Sequence, residues 1–253
     1  MFYSYAAFFF LLGTIFGSFY NVVGYRLPNG MSLIKPPSHC VRCNHRLNWY
    51  ELIPILSFLI QGGKCRNCKT KISPIYAIFE ALTGLLFLMS YVVFGLSLEL
   101  IVALIFVSTI VIIIISDLRY MVISDEVLIF SSIAIIIAKL FIYGTDIYKV
   151  LIGALLSMAC IYSLKLIGDF VFKKESLGGG DVKYMFLIGL VLEFPVSITV
   201  IFLSSFIAIP VGIVTLIIKK DNILAFGPYL SIGALILYFL QVTPKVLLDF
   251  LTF

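Results

Sequence analysis

The chain has 253 residues, 62% of them hydrophobic and 12% charged, with a mean hydropathy of +1.14. A soluble domain carries roughly a quarter charged residues; no single water-soluble core could enclose this much apolar surface, so composition excludes a soluble globular protein and predicts an integral membrane protein. The net charge of +5 reflects where Lys and Arg sit in loops, since cytoplasmic loops of membrane proteins collect them, and is not read as affinity for nucleic acid.

In chain order, the first apolar run is 4–24. The opening "MFYSYAAFFFLLGTIFGSFYNVV" has no basic n-region and no small-residue cleavage pattern, which predicts a retained first transmembrane helix over 1–24 and not a removed signal peptide. A polar loop follows at 25–73. It carries Arg26, Lys35, Arg42, Arg46, Lys64, Arg66, Lys69 and Lys71 against one acid, Glu51, and is therefore predicted to be cytoplasmic.

Inside this loop Cys40 and Cys43 form one C-x-x-C, and Cys65 and Cys68 a second. Two such knuckles supply the four thiolates of a tetrahedral structural zinc site. The alternative is two disulfides, which a reducing cytoplasm disfavours. Gly62-Gly63 leads the chain into the second knuckle, and His39 and His45 flank the first as surface residues or alternative ligands. A site closed by four sulfurs would fold the loop and would leave no position for catalysis.

Further apolar runs lie at 74–94, 98–116, 125–143, 148–168, 182–193, 196–218 and 224–242, giving about eight spans; Glu193-Phe194-Pro195 leaves seven as an alternative if the sixth and seventh form one broken helix. Cys160, in the fifth, reads as a small core residue. With eight spans the basic loops at 117–124, 169–181 and 219–223 (Lys219, Lys220) share the side of the 25–73 loop, and the connections near 95–97, 144–147 and 193–195 contain no Lys or Arg. The fold class is thus all-α, a polytopic transmembrane bundle with a small cytoplasmic zinc loop. There is no internal repeat.

Carboxylates inside apolar spans are rare and usually functional. Asp117 ends the third span, and Asp181 opens the sixth directly after Gly178-Gly179-Gly180. The topology puts both at the cytoplasmic ends of separate helices. Two close carboxylates do not both ionise cheaply, so the pair would hold a base and an acid at once, the chemistry of an aspartic protease. The glycines, free to adopt positive φ, would let a substrate strand lie beside Asp181. The plainer alternatives are that Asp181 is a helix cap and that Asp117 pairs with Arg119 or Lys183. Asp125 could cap the fourth span or help line the site. Paired acids could also serve a transporter as proton relays, although such folds place acids at the midplane and usually carry repeats. A membrane adaptor built around the zinc loop would need neither acid.

Several ordered blocks resemble the bacterial type IV prepilin peptidases, membrane aspartic proteases of the GxGD type: "GSFYNVVGYRLP" (17–28), the two C-x-x-C knuckles, the stretch 51–80, "DLRYMVISD" (117–125), "GGGDVK" (178–183) and "FGPYLSIG" (226–233). Ser124 and Ala77 stand where the family usually has Pro. The resemblance implies that 74–253 is the protease core and that Asp117 and Asp181 are catalytic. In the mechanism this suggests, Gly178, Gly179 and Gly180 hold the substrate backbone extended, Lys183 on the substrate side steadies the charge on Asp181 or meets lipid phosphates, and Asp125 helps line the substrate site. It implies removal of the basic leader of type IV prepilins or pseudopilins at the cytoplasmic face of the bacterial inner membrane, with a GxGD protease of other membrane substrates as the nearest alternative. It also implies methylation of the new N-terminus with S-adenosylmethionine, for which Asn21, Arg26 and the loop are the candidates.

Overall fold

The computed structural model describes residues 1–219 and 224–251. It is all-helical apart from two isolated β-bridges in the cysteine loop. The helices are α1 (Phe2–Arg26), α2 (Leu56–Ile60), α3 (Ile75–Phe94), α4 (Leu98–Tyr120), α5 (Asp125–Tyr143), α6 (Ile147–Phe172), α7 (Gly179–Leu192), α8 (Val196–Lys219), α9 (Gly227–Phe239) and α10 (Pro244–Leu251).

Each of the eight predicted apolar runs forms a helix, but not each is a span. Five helical stretches are long and apolar enough to cross a membrane: Phe2–Asn29, Ile75–Phe94, Leu98–Tyr120, Asp125–Phe172 and Val196–Ile217. Gly144-Thr145-Asp146 divides the fourth of these into α5 and α6. The sixth and eighth runs give helices of 14 and 13 residues, about 20 Å each, against a hydrocarbon core of about 30 Å. The sixth and seventh are separate helices: Glu193, at φ +61, closes α7, and α8 starts at Val196. Apart from the helix end at Lys219, the predicted basic loop 219–223 lies outside the described residues.

The chain forms two compact units, Met1–Leu96 and Ser97–Phe253. In the first, α1 and α3 run antiparallel, with Phe9 stacked on Tyr91 at one end (centroids 5.1 Å apart) and Asn21 Nδ2 donating to the Tyr76 carbonyl at the other (3.2 Å). The boundary therefore falls after the second apolar helix, which packs on the first. Small residues let the backbones meet: a Cβ on Gly13 would lie 2.7 Å from Thr83 O, and one on Gly17 would lie 2.9 Å from Glu80 Cα. Close approach of this kind gives the dispersion contact and interhelical hydrogen bonding that hold helices together where water is absent.

In the second unit α7 is the central element. Tyr184, Met185, Leu187, Ile188 and Leu190 are wholly buried, enclosed by α5, α6, α8 and α9. Serines replace bulk at the crossings, as where Ser157 of α6 and Ser197 of α8 pair at 2.6 Å. Lys139 of α5, buried, donates to the Val191 carbonyl near the end of α7 (3.0 Å). The outward faces are apolar, Phe130, Phe141, Phe170 and Phe206 among them. Cys160 lies on this outward surface of α6 and is not a core residue; a small thiol there costs nothing in an apolar surrounding.

Replacing Gly17 by Leu is expected to force α1 and α3 apart and destabilise the first unit by about 1–3 kcal/mol. Thermal unfolding of the detergent-solubilised protein checks this; an unchanged midpoint would show that the close crossing contributes nothing.

Candidate active site and metal centre

The two acids sit in the second unit, and the fold brings them together from helices that are far apart in sequence. Asp117 lies in the last turn of α4, which ends when Met121 takes the left-handed conformation and its N–H returns to the Asp117 carbonyl (2.9 Å). Its side chain is buried, and Oδ2 accepts a hydrogen bond from the Gly227 amide at the start of α9 (3.0 Å). Asp181 is buried in the first turn of α7, where its backbone N–H donates to the Gly178 carbonyl (3.2 Å), and it lies within electrostatic reach of Asp117. Ile123, in the turn between α4 and α5, lies against both Gly180 and Gly227 and so spans the floor between the two acids.

The glycines do different work from one another. A Cβ on Gly178 would stand 3.2 Å from Asp181 Oδ2, one on Gly180 would stand 3.0 Å from Ile123 Cβ, and one on Gly179 would meet nothing within 4 Å. None of the three has positive φ. Gly178 is extended and the next two residues already belong to the helix, so of the two properties expected of these glycines, close approach is used and positive φ is not. At Gly227 a Cβ would lie 2.6 Å from Asp117 Oδ2; only glycine lets that amide reach the carboxylate.

Lys183 touches neither acid. It forms a two-pronged ion pair with Asp125, Nζ to Oδ1 2.8 Å and to Oδ2 2.7 Å, tying the first turn of α5 to the first turn of α7. Among the described residues the partner of Asp117 is the Gly227 amide, not Arg119 or Lys183. Two contributors were not singled out from sequence. Gly227 lies in a quoted motif, but nothing in its spacing shows which acid it serves. Lys165 of α6 holds the approach to the glycines, donating to the Leu177 carbonyl (2.6 Å) and Glu175 Oε1 (2.9 Å) and pairing with Asp169 (3.5 Å). A lysine and an aspartate four apart at the end of an apolar run was the available signal.

In the first unit the two knuckles are near copies. Cys40 N–H donates to His45 O and Cys65 N–H to Thr70 O, both at 2.9 Å; Asn44 and Lys69 take positive φ at equivalent positions. Gly62 and Gly63, at φ +58 and +66, turn the chain into the second knuckle. All four cysteines are free, and their sulfurs lie within 4.8 Å of one another. Cys40 and Cys68 are 3.8 Å apart, and Cys43 and Cys65 3.9 Å. A tetrahedral metal with sulfur bonds of about 2.3 Å spaces its ligands about 3.8 Å apart, whereas a disulfide needs about 2.05 Å. Hydrogen bonds from Thr70 bring the Cys68 thiol down to about 6, so it offers a thiolate at neutral pH. The histidines stand aside: His39 Nδ1 is 2.8 Å from Pro37 O, and His45 pairs with Glu51. Backbone and side-chain bonds from Asn48 hold the Glu51 carboxyl below its usual range.

Asn21 is buried, and its Oδ1 has no hydrogen-bond partner. Arg26 spends its guanidinium on the carbonyls of Ser32 and Leu33 (3.0 and 3.4 Å), shaping the start of the loop.

Residues 104–213 match the type IV leader peptidase family, and residues 11–94 match the bacterial peptidase A24 N-terminal domain. The prepilin leader peptidase/N-methyltransferase of Bacillus subtilis (strain 168) is 35% identical over 232 residues, 90% of this chain and 92% of that one. The chain belongs to the type IV leader peptidase family. Proteins of the same name from Myxococcus xanthus (strain DK1622) and Klebsiella pneumoniae are 36% and 31% identical, covering 84% and 72% of this chain and 64% and 83% of theirs. No solved structure gives a significant match. This leader peptidase is thus an enzyme of known class, and both acids fall inside the part that matches the peptidase family. Ser124, where the family usually has Pro, holds φ −71, an angle the proline ring also imposes.

The metal reading predicts about one zinc per chain in the purified protein, measured by elemental analysis. Cys68→Ser is expected to lower that content and to expose 25–73 to protease; full metal content in the variant would remove Cys68 from the ligand set.

Proposed function

We propose that this chain is a membrane-embedded aspartic endopeptidase of the bacterial inner membrane that removes the leader from type IV prepilins or pseudopilins at the cytoplasmic face. The observation that carries the proposal is that two buried carboxylates, from α4 and α7, lie within electrostatic reach of one another, Asp117 oriented by the Gly227 amide. The relatives' names supply the substrate, and the predicted positive loops supply the side. The eight apolar helices are taken as the membrane bundle, with α7 and α9 as partial spans.

Asp117 and Asp181 share one proton. The ionised member takes a proton from water, which attacks the scissile carbonyl, and the protonated member donates to that oxygen. Collapse then expels the amine, which receives its proton from the same pair. The open space over Gly179 is where an extended substrate backbone lies. Asp125 and Lys183 act on the substrate side only by fixing α7 against α5. Zinc, held by Cys40, Cys43, Cys65 and Cys68, folds the loop.

We assign a second step, methylation of the new N-terminus, to the first unit. S-adenosylmethionine supplies the methyl group when bound. The unpartnered Asn21 oxygen suits its donor groups, since a buried acceptor without a donor is costly unless a ligand completes it. Arg26 serves by ordering the chain at Ser32 and Leu33.

One assay tests both steps: prepilin incubated with the enzyme and analysed by mass spectrometry. Asp117→Asn and Asp181→Asn are each expected to reduce leader removal by about 10²–10⁴-fold; near-normal cleavage in either removes that residue from the mechanism. Asn21→Leu is expected to cleave normally but leave the new N-terminus unmethylated, and normal methylation in that variant would overturn the assignment of Asn21.

A further inference from the structure

The proposed chemistry makes no use of "LIPILSFLI", residues 52–60, nine residues with one polar side chain inside the otherwise basic loop. Such a run is too short to span a bilayer, and its length suits an interfacial or re-entrant segment. We propose that Leu52–Ile60 lies in the headgroup region of the membrane as a lipid-docking segment, an inference that rests on the membrane reading above.

Three observations within the first unit support it. The first is depth. The Ile55 amide donates to Glu80 Oε2 at 2.7 Å. Glu80 is buried and lies five residues into α3, which begins at Ile75, about 7 Å along the helix axis. The segment is therefore held beside the first turns of a membrane-capable helix and not out in bulk water. Ile55 takes φ +62 to present that amide, a conformation rare for a β-branched residue.

The second is facing. Phe58 turns inward, its ring 3.0 Å from where a Cβ on Gly63 would sit, so the second knuckle backs the short helix α2. Leu56, Leu59 and Ile60 point away, at 56%, 65% and 76% exposure. Large apolar side chains this open, gathered on one short helix, mark an interaction surface.

The third is charge. Lys64, Arg66, Lys69 and Lys71 follow directly and are exposed, and the only acid of the loop, Glu51, is buried. Exposed Lys and Arg beside an apolar face match an anionic lipid surface, which decides for lipid over an acidic or neutral protein partner.

Trp49 is the chain's single tryptophan, so a Trp49→Phe background reports one introduced residue at a time. The full chain is reconstituted in phosphatidylcholine–phosphatidylglycerol vesicles with brominated acyl chains. Leu59→Trp and, separately, Ile60→Trp are expected to lose most of their emission to the bromolipid and little to aqueous iodide. Phe16→Trp, on the exposed face of α1, is the control for the membrane reading. Quenching of Phe16→Trp but of neither loop tryptophan overturns the docking segment and leaves the membrane reading standing. Quenching of none of the three overturns both. A loop tryptophan shielded from lipid and iodide alike means that protein covers the face, and also overturns the proposal. Equal quenching without phosphatidylglycerol overturns the role given to the basic residues.

Discussion

A carboxylate placed in apolar surroundings is expensive unless donors meet it, and this constraint shapes the second unit. Asp117 answers it with the Gly227 amide, and the Asp181 carboxylate lies close over the bare backbone of Gly178. No lysine or arginine neutralises either at hydrogen-bond distance among the described residues. A cation bonded to the pair would favour both charges together. The Gly227 amide orients Asp117 without adding a charge. Lys183, two residues from Asp181, is occupied by Asp125.

Using backbone donors requires the chain to come very close, and glycine is what allows it. The same device appears in both units for different ends. At Gly13 and Gly17 it lets two helix axes approach; at Gly227 and Gly178 it lets an amide or a bare turn approach a carboxylate; at Gly180 it admits Ile123. In each case the substitution penalty falls on a different partner, a helix backbone in the first and a carboxylate oxygen in the second. A methyl group at the first kind of site disturbs packing, and one at the second kind displaces a buried acid.

Much of this was legible in the sequence. Hydropathy located every long helix because an apolar run of about 20 residues has few other uses. The paired knuckles were readable because ligand spacing is a local property. The meeting of Asp117 with Asp181 could be suggested from equal depth, but not which backbone amide would orient each. Gly227 lies 110 residues from Asp117, and no periodicity links them. Glycine permits positive φ without requiring it, and at Gly178–Gly180 only close approach is used. Cys160 was placed in the core because a uniformly apolar helix gives no sign of which face turns outward. Hydropathy counts apolar segments without fixing helix length, and α7 and α9 are apolar yet short.

That shortness has a structural consequence. A helix of 14 residues leaves its last carbonyls inside apolar surroundings, where water cannot reach them. Lys139 resolves this by capping Val191 O from α5, with Glu193 4.0 Å from its ammonium and Tyr143 bonded to the same carboxylate at 2.7 Å. The other end of α7 is tied to α5 as well, through Lys183 and Asp125. One helix therefore grips α7 at both ends. These two contacts, with the packing of α6, α8 and α9, hold α7 and so Asp181 in place. A full-length span can slide or tilt with the lipid around it. A short helix held at both ends by its neighbour has less freedom to do so.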